Sequence, residues 1–159
     1  SWSPDGRFIY GVNHVYKAGL VSEEASPLFD LTAISISNGS NTPLVQQSGM
    51  FAFPVTSPLQ ADKRFSVAYL QSIFPEQSET SRYHLVVMDR DGSNRQIIFP
   101  PEGAAGLDPQ RLIWSPQPGT DSPMRIAVIY QGNLWLVNPS TGQFQQITGD
   151  GLISRIDWK

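Results

Sequence analysis

Cysteine is absent from this chain of 159 residues. Its absence excludes disulfides, thiolate metal ligands and a thiol nucleophile, while both oxidising and reducing compartments stay open because neither requires cysteine. Histidine is scarce too, since His14 and His84 are the only two, and they form no zinc-type cluster. The sequence also lacks the Gly-x-Ser-x-Gly elbow of many serine hydrolases. We therefore predict that this chain is not an enzyme and holds neither a metal nor a cofactor.

Charge and long apolar runs are also limited. Only 16% of the residues are charged, the net charge is -3, and no stretch concentrates Lys and Arg, so we exclude nucleic acid as a partner. The longest apolar run, 126–130, is far too short to span a bilayer, and the start at Ser1 lacks the pattern of a signal peptide. We expect no membrane insertion by this segment.

Residues typical of turns and strands are abundant. The chain has 13 Gly, 13 Pro, 8 Phe, 5 Tyr and 4 Trp. Gly and Pro favour tight turns, and aromatic residues favour strands over helices. The composition therefore predicts an all-β fold with many short strands.

A corner of Trp, Ser and Pro recurs along the chain. It is complete at residues 2–6 and 114–116, lacks its Trp at 57–58, where Phe53 is the loose substitute, and ends as a lone Trp158. Each corner is followed by apolar segments separated by turns, as in a four-stranded antiparallel unit. The predicted strands A to D are 2, 7–12, 32–37 and 42–45; then 51–53 with 57–58, 64–70, 83–88 and 95–99; then 111–114, 125–130, 134–137 and 144–148.

A repeat of this kind predicts a partial β-propeller of about three four-stranded blades, all within one segment, 1–159. The blades cover about 1–48, 49–105 and 106–151, and 152–159 is the first strand of a further blade. In the first two blades the connection between strands B and C is long, at 13–28 and 71–82, whereas the third uses only 131–133. Because B–C connections share one face of a propeller, both insertions should lie on the same rim.

The run from Trp2 to Tyr10 resembles the TolB-type, WD-like propeller repeat, as do the hairpins at 83–94 and 134–148. The second corner lacks Trp and the third has Gln117-Pro-Gly in place of Asp-Gly, which are departures from the pattern. The resemblance implies the protein-binding class and a location outside the cytoplasm, in the periplasm or the cell envelope. We therefore predict a non-catalytic scaffold within a larger bacterial envelope protein, whose rim loops bind a protein or a small ligand. Two alternatives are the gating propeller of a serine peptidase-type hydrolase, with its catalytic domain elsewhere, and the sensor domain of a receptor.

Three blades do not close a ring, because propellers have four to eight. The two terminal faces would expose apolar surface, which the missing blades of a parent protein would cover. A homodimer could also close a six-bladed ring with a two-fold axis. In that dimer, residues 153–158 would complete the first blade of the partner molecule.

The rim insertions hold the candidate binding residues. Tyr16, Phe74 and Tyr83 flank the two insertions, and aromatic residues at an interface carry much of the binding energy. His14 lies in the first insertion. Acidic pairs at 23–24 and at 76 and 79 would give the rim an acidic surface. Residues 89–94 are similar to the start of a calcium loop, but the twelfth position is Pro100, so a hairpin turn is the better interpretation.

Overall fold

The structure is a computed structural model that describes residues 1–20, 22–116 and 123–157. The third corner's Gln117-Pro-Gly, the side chain of Glu23 and Trp158 lie outside the described part. Within it, eleven strands form three antiparallel sheets, and the all-β prediction is confirmed. Two single-turn 3-10 helices, Glu23–Ala25 and Pro75–Gln77, lie between strands.

The three sheets follow one another along the chain. The first contains β1 (Phe8–Val15), β2 (Leu28–Ser35) and β3 (Asn41–Val45). The second contains β4 (Val55–Thr56), β5 (Ser66–Ser72), β6 (Tyr83–Asp89) and β7 (Gln96–Phe99). The third contains β8 (Ile113–Trp114), β9 (Ile126–Tyr130), β10 (Asn133–Val137) and β11 (Phe144–Gln146). The described sheets form no closed ring.

Residues 1–3 take the place of a fourth strand in the first sheet. Trp2 forms an antiparallel bridge with Ile9, and the main chains of Ser1 and Tyr10 exchange two hydrogen bonds of 2.7 Å. The edge next to Phe8–Tyr10 is therefore already paired by residues 1–3 of the same chain. This contradicts the prediction that residues 153–158 of a partner molecule complete the sheet at that edge. Residues 153–157 form no strand in the structure, and the Ile153 N–H donates to the carbonyl of Gly132.

The rim insertions are shorter than the sequence predicts. β1 continues to Val15, which pairs with Leu28 at the start of β2, and β5 continues to Ser72, which pairs with Tyr83. Polar residues in these extensions do not end the strands, because pairing satisfies the main-chain donors and acceptors whatever the side chain. The insertions are thus 16–27 and 73–82, mounted on paired strands.

The corner serines all make the same hydrogen bonds. Each serine Oγ accepts the N–H of one residue at or just before the strand that follows, and each serine N–H donates to the carbonyl of that same residue. The side-chain bonds join Ser3 to Phe8 at 2.9 Å, Ser57 to Ser66 at 3.0 Å and Ser115 to Arg125 at 3.0 Å. In each sheet, these bonds close the turn and set the register between the corner segment and the strand that follows it, as the sequence predicts for a structural corner.

The residue before each corner serine connects neighbouring sheets. Thr56 Oγ1 donates to the carbonyl of Trp2 at 2.9 Å, and Trp114 Nε1 donates to the carbonyl of Val55 at 3.2 Å. The assignment of Phe53 to the Trp position is therefore wrong: Thr56 occupies it, while Phe53 has a φ of 41° and packs beside the core between the second and third sheets. Trp2 holds the equivalent place in the first sheet and is 62% exposed.

The second sheet is buried on both faces. Along β5, Val67 and Tyr69 face the first sheet, whereas Ala68 and Leu70 face the third. The core against the first sheet includes Tyr10, Leu31, Val45, Val86 and Met88, and the core against the third includes Leu85, Phe99, Trp114, Ile126 and Val128. The three sheets therefore form a stack held by two separate cores.

We expect Ser57→Ala to lower the free energy of unfolding by about 1–3 kcal/mol, the usual effect of leaving a buried donor unpaired. Ser57 is buried at 1% exposure, and its hydroxyl is the side-chain acceptor for the Ser66 N–H. Urea titration measures the change, and Ser154→Ala is the matched control because Ser154 is exposed. Equal midpoints for the two variants would contradict the structural role of the corner hydroxyl.

Candidate functional site

The two insertions meet on one rim of the stack. Lys17 in the first insertion forms an ion pair with Glu76 in the second, with 2.9 Å between Nζ and Oε1. Residues of both insertions also line one cleft. The prediction that both insertions lie on the same rim is therefore confirmed.

The cleft between the insertions has a volume of about 370 Å³. Three of its lining residues are His14, Phe29 and Met50, which we call the cleft floor. Carboxylates line it as well, at Glu24 in the first insertion and at Glu76 and Glu79 in the second. The cleft therefore combines an apolar and aromatic surface with a row of acidic groups.

Strand register builds the aromatic part of the floor. His14 on β1 lies directly opposite Phe29 on β2, so their side chains lie on the same face of the sheet. The rings stack with centroids 4.5 Å apart and planes 6° apart. His14 Nε2 also contacts the carbonyl of Ser26, and since a carbonyl only accepts, Nε2 carries a proton. His14 thus lines the cleft from the end of a strand and not from the loop that the sequence predicts, and its role in binding stays a prediction.

Tyr83 supports the cleft from below and does not face a partner. Its ring is completely buried, its hydroxyl donates to the carbonyl of Ser78 at 2.6 Å and accepts the Phe51 N–H at 3.4 Å, and burial raises its pKa. The prediction of Tyr83 as a contact residue is therefore wrong. Its position at the start of β6 turns it to the same side as Leu85, toward the core.

Tyr16 and Phe74 are exposed beside the cleft. Their exposed fractions are 49% and 62%, and the Tyr16 hydroxyl donates to the carbonyl of Leu20 at 3.0 Å. Phe74 is held by its N–H, which donates to Ser81 Oγ at 3.0 Å. Neither side chain lines the cleft, and each lies in one of the two insertions that form it. Their role as contact residues stays a prediction, while sequence reasoning missed Phe29 and Met50, which do line the cleft.

Among the described residues, no group of three His, Asp or Glu side chains could hold a metal ion. In the 89–94 turn, Asp91 Oδ1 accepts from the N–H and Oγ of Ser93 at 3.0 and 2.6 Å, which lowers the Asp91 pKa. Asn94 Nδ2 donates to Asp89 Oδ2 at 2.7 Å. These carboxylates brace a hairpin turn, as predicted.

None of the described segments is a helix long and apolar enough to cross a membrane.

Gly49 has a backbone conformation and a packing position that only glycine fits well. Its φ is 98°, and an added Cβ would lie 2.6 Å from Ser72 Cβ and 3.2 Å from Ser78 Cβ. We expect Gly49→Ala to lower the free energy of unfolding by about 1–3 kcal/mol more than Gly19→Ala, because overpacking adds to the shared backbone strain. Gly19 is the control, with a φ of 93° and open space around it. Thermal unfolding of both variants measures the difference, and equal losses would contradict it.

Burial lowers the pKa of His84 on β6 below its ordinary value of 6.5, because it disfavours the charged ring. The folded state then binds fewer protons than the unfolded state, so the stability from this group is complete above pH 6.5 and is lost as the pH falls. We expect the unfolding free energy of the wild type to fall more steeply than that of His84→Gln between about pH 7 and 5.5. Urea titrations across this range measure both slopes, and parallel slopes would contradict the assignment.

Comparison of the chain with models of protein families, with curated proteins and with solved structures finds no match. The resemblance to the TolB-type repeat therefore rests on the residues that carry it, in the first corner and the two hairpins. What the chain does has to be inferred from the rim cleft and from the recurring corners.

Proposed function

We propose that this chain is a non-catalytic, propeller-type scaffold that binds a segment of another protein in the rim cleft. The observation that carries this function is the cleft itself, formed where two insertions from neighbouring sheets meet and are joined by the Lys17–Glu76 ion pair. Its volume of about 370 Å³ lies within the range of ligand-binding clefts. Exposed aromatic residues beside it, Tyr16 and Phe74, are the residue type that contributes most to protein interfaces.

The rim is suited to recognition because the fold holds both of its parts in place. His14 and Phe29 are on paired strands, so the cleft floor is held in place by the sheet. The second insertion is held from inside by Tyr83 and Ser78. Sites whose residues are locked by packing bind with less loss of conformational entropy.

Repeated contacts between sheets support the propeller arrangement. Each sheet stacks on the next, and Thr56 and Trp114 make equivalent hydrogen bonds to the preceding sheet. Trp2 is 62% exposed, and its Nε1 donates no hydrogen bond to another described residue. A preceding sheet of the same kind would supply an acceptor. We therefore propose that further blades, from a parent protein or a second copy of the chain, cover the open faces of the stack.

The setting of this scaffold follows from the resemblance of its repeats. The corner at 2–10 and the hairpin at 83–94 are similar to TolB-type repeats, which supports a larger bacterial envelope protein outside the cytoplasm. Within such a protein, the cleft would face a partner while the sheets stack within the ring. The role is that of an interaction module.

We expect short random peptides selected by phage display on the wild-type chain to bind at the cleft. Phe74→Ala should weaken the selected peptides by about tenfold, because truncating an aromatic contact residue typically costs more than 1 kcal/mol. Ile97→Ala is the matched control, since Ile97 on β7 is equally exposed, at 60% against 62%. Fluorescence anisotropy measures the affinities. Peptides that lose equal affinity on both variants, or on neither, would contradict the proposed site.

A further inference from the structure

We propose that the rim cleft takes a basic side chain, arginine above all, from an extended segment of the partner. This inference rests on the proposed function and names the chemistry of the occupant. It follows from three features of the cleft: a stacked aromatic pair in its lining, an excess of carboxylates and a cation already bound to one of them. The ligand chemistry they share is a planar or compact cation on an apolar stem.

The floor suits a planar group. The His14 and Phe29 rings are nearly parallel in their stack, with centroids 4.5 Å and planes 6° apart, so each ring keeps one face that the other does not cover. Both line the cleft together with Met50. A guanidinium stacks on such rings, and its three-carbon stem packs on apolar surface. A lysine offers only the stem and a point charge, so arginine uses more of this surface.

The acidic residues set the sign of the ligand charge. Glu24, Glu76 and Glu79 line the cleft, and Lys17 is the described cation paired with one of them. The carboxylates thus outnumber the ammonium beside them by three to one. An acidic ligand would meet repulsion there, whereas a guanidinium could form paired hydrogen bonds with a carboxylate.

Lys17 shows where a cation binds. Its Nζ lies 2.9 Å from Glu76 Oε1 and joins the two insertions across the rim. This ammonium stands in for the cation of a ligand, and it also competes with that cation for Glu76. Because exposed ion pairs are weak, an incoming guanidinium with additional stacking contacts can displace it. Removing the Lys17 charge should therefore strengthen binding of a cationic ligand, an effect opposite to that of losing a merely stabilising contact.

The test compares two probes of nearly equal shape, N-acetyl-arginine amide and N-acetyl-citrulline amide, which lacks the charge. We expect the arginine probe to shift the amide resonances of residues 76–80 in NMR titrations, with an affinity at least about threefold higher than the citrulline probe. Lys17→Gln should raise the affinity for the arginine probe, and Glu79→Gln should lower it. Glu102→Gln is the control, because Glu102 is exposed and is not a lining residue of the cleft.

Equal binding of the two probes, or an unchanged affinity in both Lys17→Gln and Glu79→Gln, would overturn the basic ligand. Selected peptides that bind at the cleft but contain no basic residue would also overturn it, while leaving the proposed function intact. Failure of the proposed function has a different signature, since peptides would then be insensitive to Phe74→Ala. Both arms use the whole chain, and the circular dichroism spectrum of each variant confirms that it is folded.

Discussion

Burial of the second sheet on both faces is the constraint on which the rest of the structure depends. Alternate residues of β5 enter different cores, with Val67 on one side and Ala68 on the other, so a shift of one residue would exchange both cores at once. A hydrogen bond of 2.9 Å from the Tyr10 hydroxyl to the carbonyl of Arg90 adds a polar link between the first two sheets. Burial raises the pKa of Tyr10 to about 12, so the hydroxyl stays a donor at physiological pH. The fixed spacing of the two sheets then brings the insertions they carry to one rim.

The same stacking explains why the ends of the structure differ from its centre. On the third sheet, Ala127, Leu134 and Leu136 line a groove on the side away from the second sheet, where the equivalent residues of the second sheet are in a core. Three residues near the end of the described chain also line this groove: the charged Arg155 and Asp157, and the apolar Ile156 between them. At the other end, Trp2 is exposed although Trp114, at the same place in its corner, is 8% exposed. Equivalent residues thus differ in burial according to whether another sheet packs against them.

Much of the fold could be predicted from local patterns, because corners and hairpins depend on residues close in sequence. Ser3, Ser57 and Ser115 mark three turns with the same hydrogen bonds, and the strands after them follow from alternating apolar residues. The sequence did not predict that Thr56 occupies the Trp position of the second corner, because Phe53 is aromatic and so resembles Trp more closely. The hydrogen bond to the carbonyl of Trp2 needs only a side-chain donor at the position before Ser57. The burial of Tyr83 could have been predicted, because it lies two residues before the apolar Leu85 in the same strand, so both side chains are on the same face of the sheet. Phe29 and Met50 carry no such signal, because the cleft forms only where distant segments meet.

The division of the rim between strand and loop bears on what it can recognise. An aromatic floor on paired strands, such as His14 and Phe29, keeps its shape whether or not a ligand is present. The acidic groups lie on the insertions, and among the described residues the ion pair that joins the insertions, Lys17 with Glu76, is exposed on both sides. In the proposed complex, the stacked rings would determine which group fits, while the carboxylates would bind its charge. Lys17 lies against Glu76 Oε1, so a second cation at this carboxylate would share it with the ammonium, and the net gain from the charge would be small. In the proposed complex, binding through one side chain would therefore be weak and reversible, with the remaining affinity coming from contacts such as Phe74 in the second insertion.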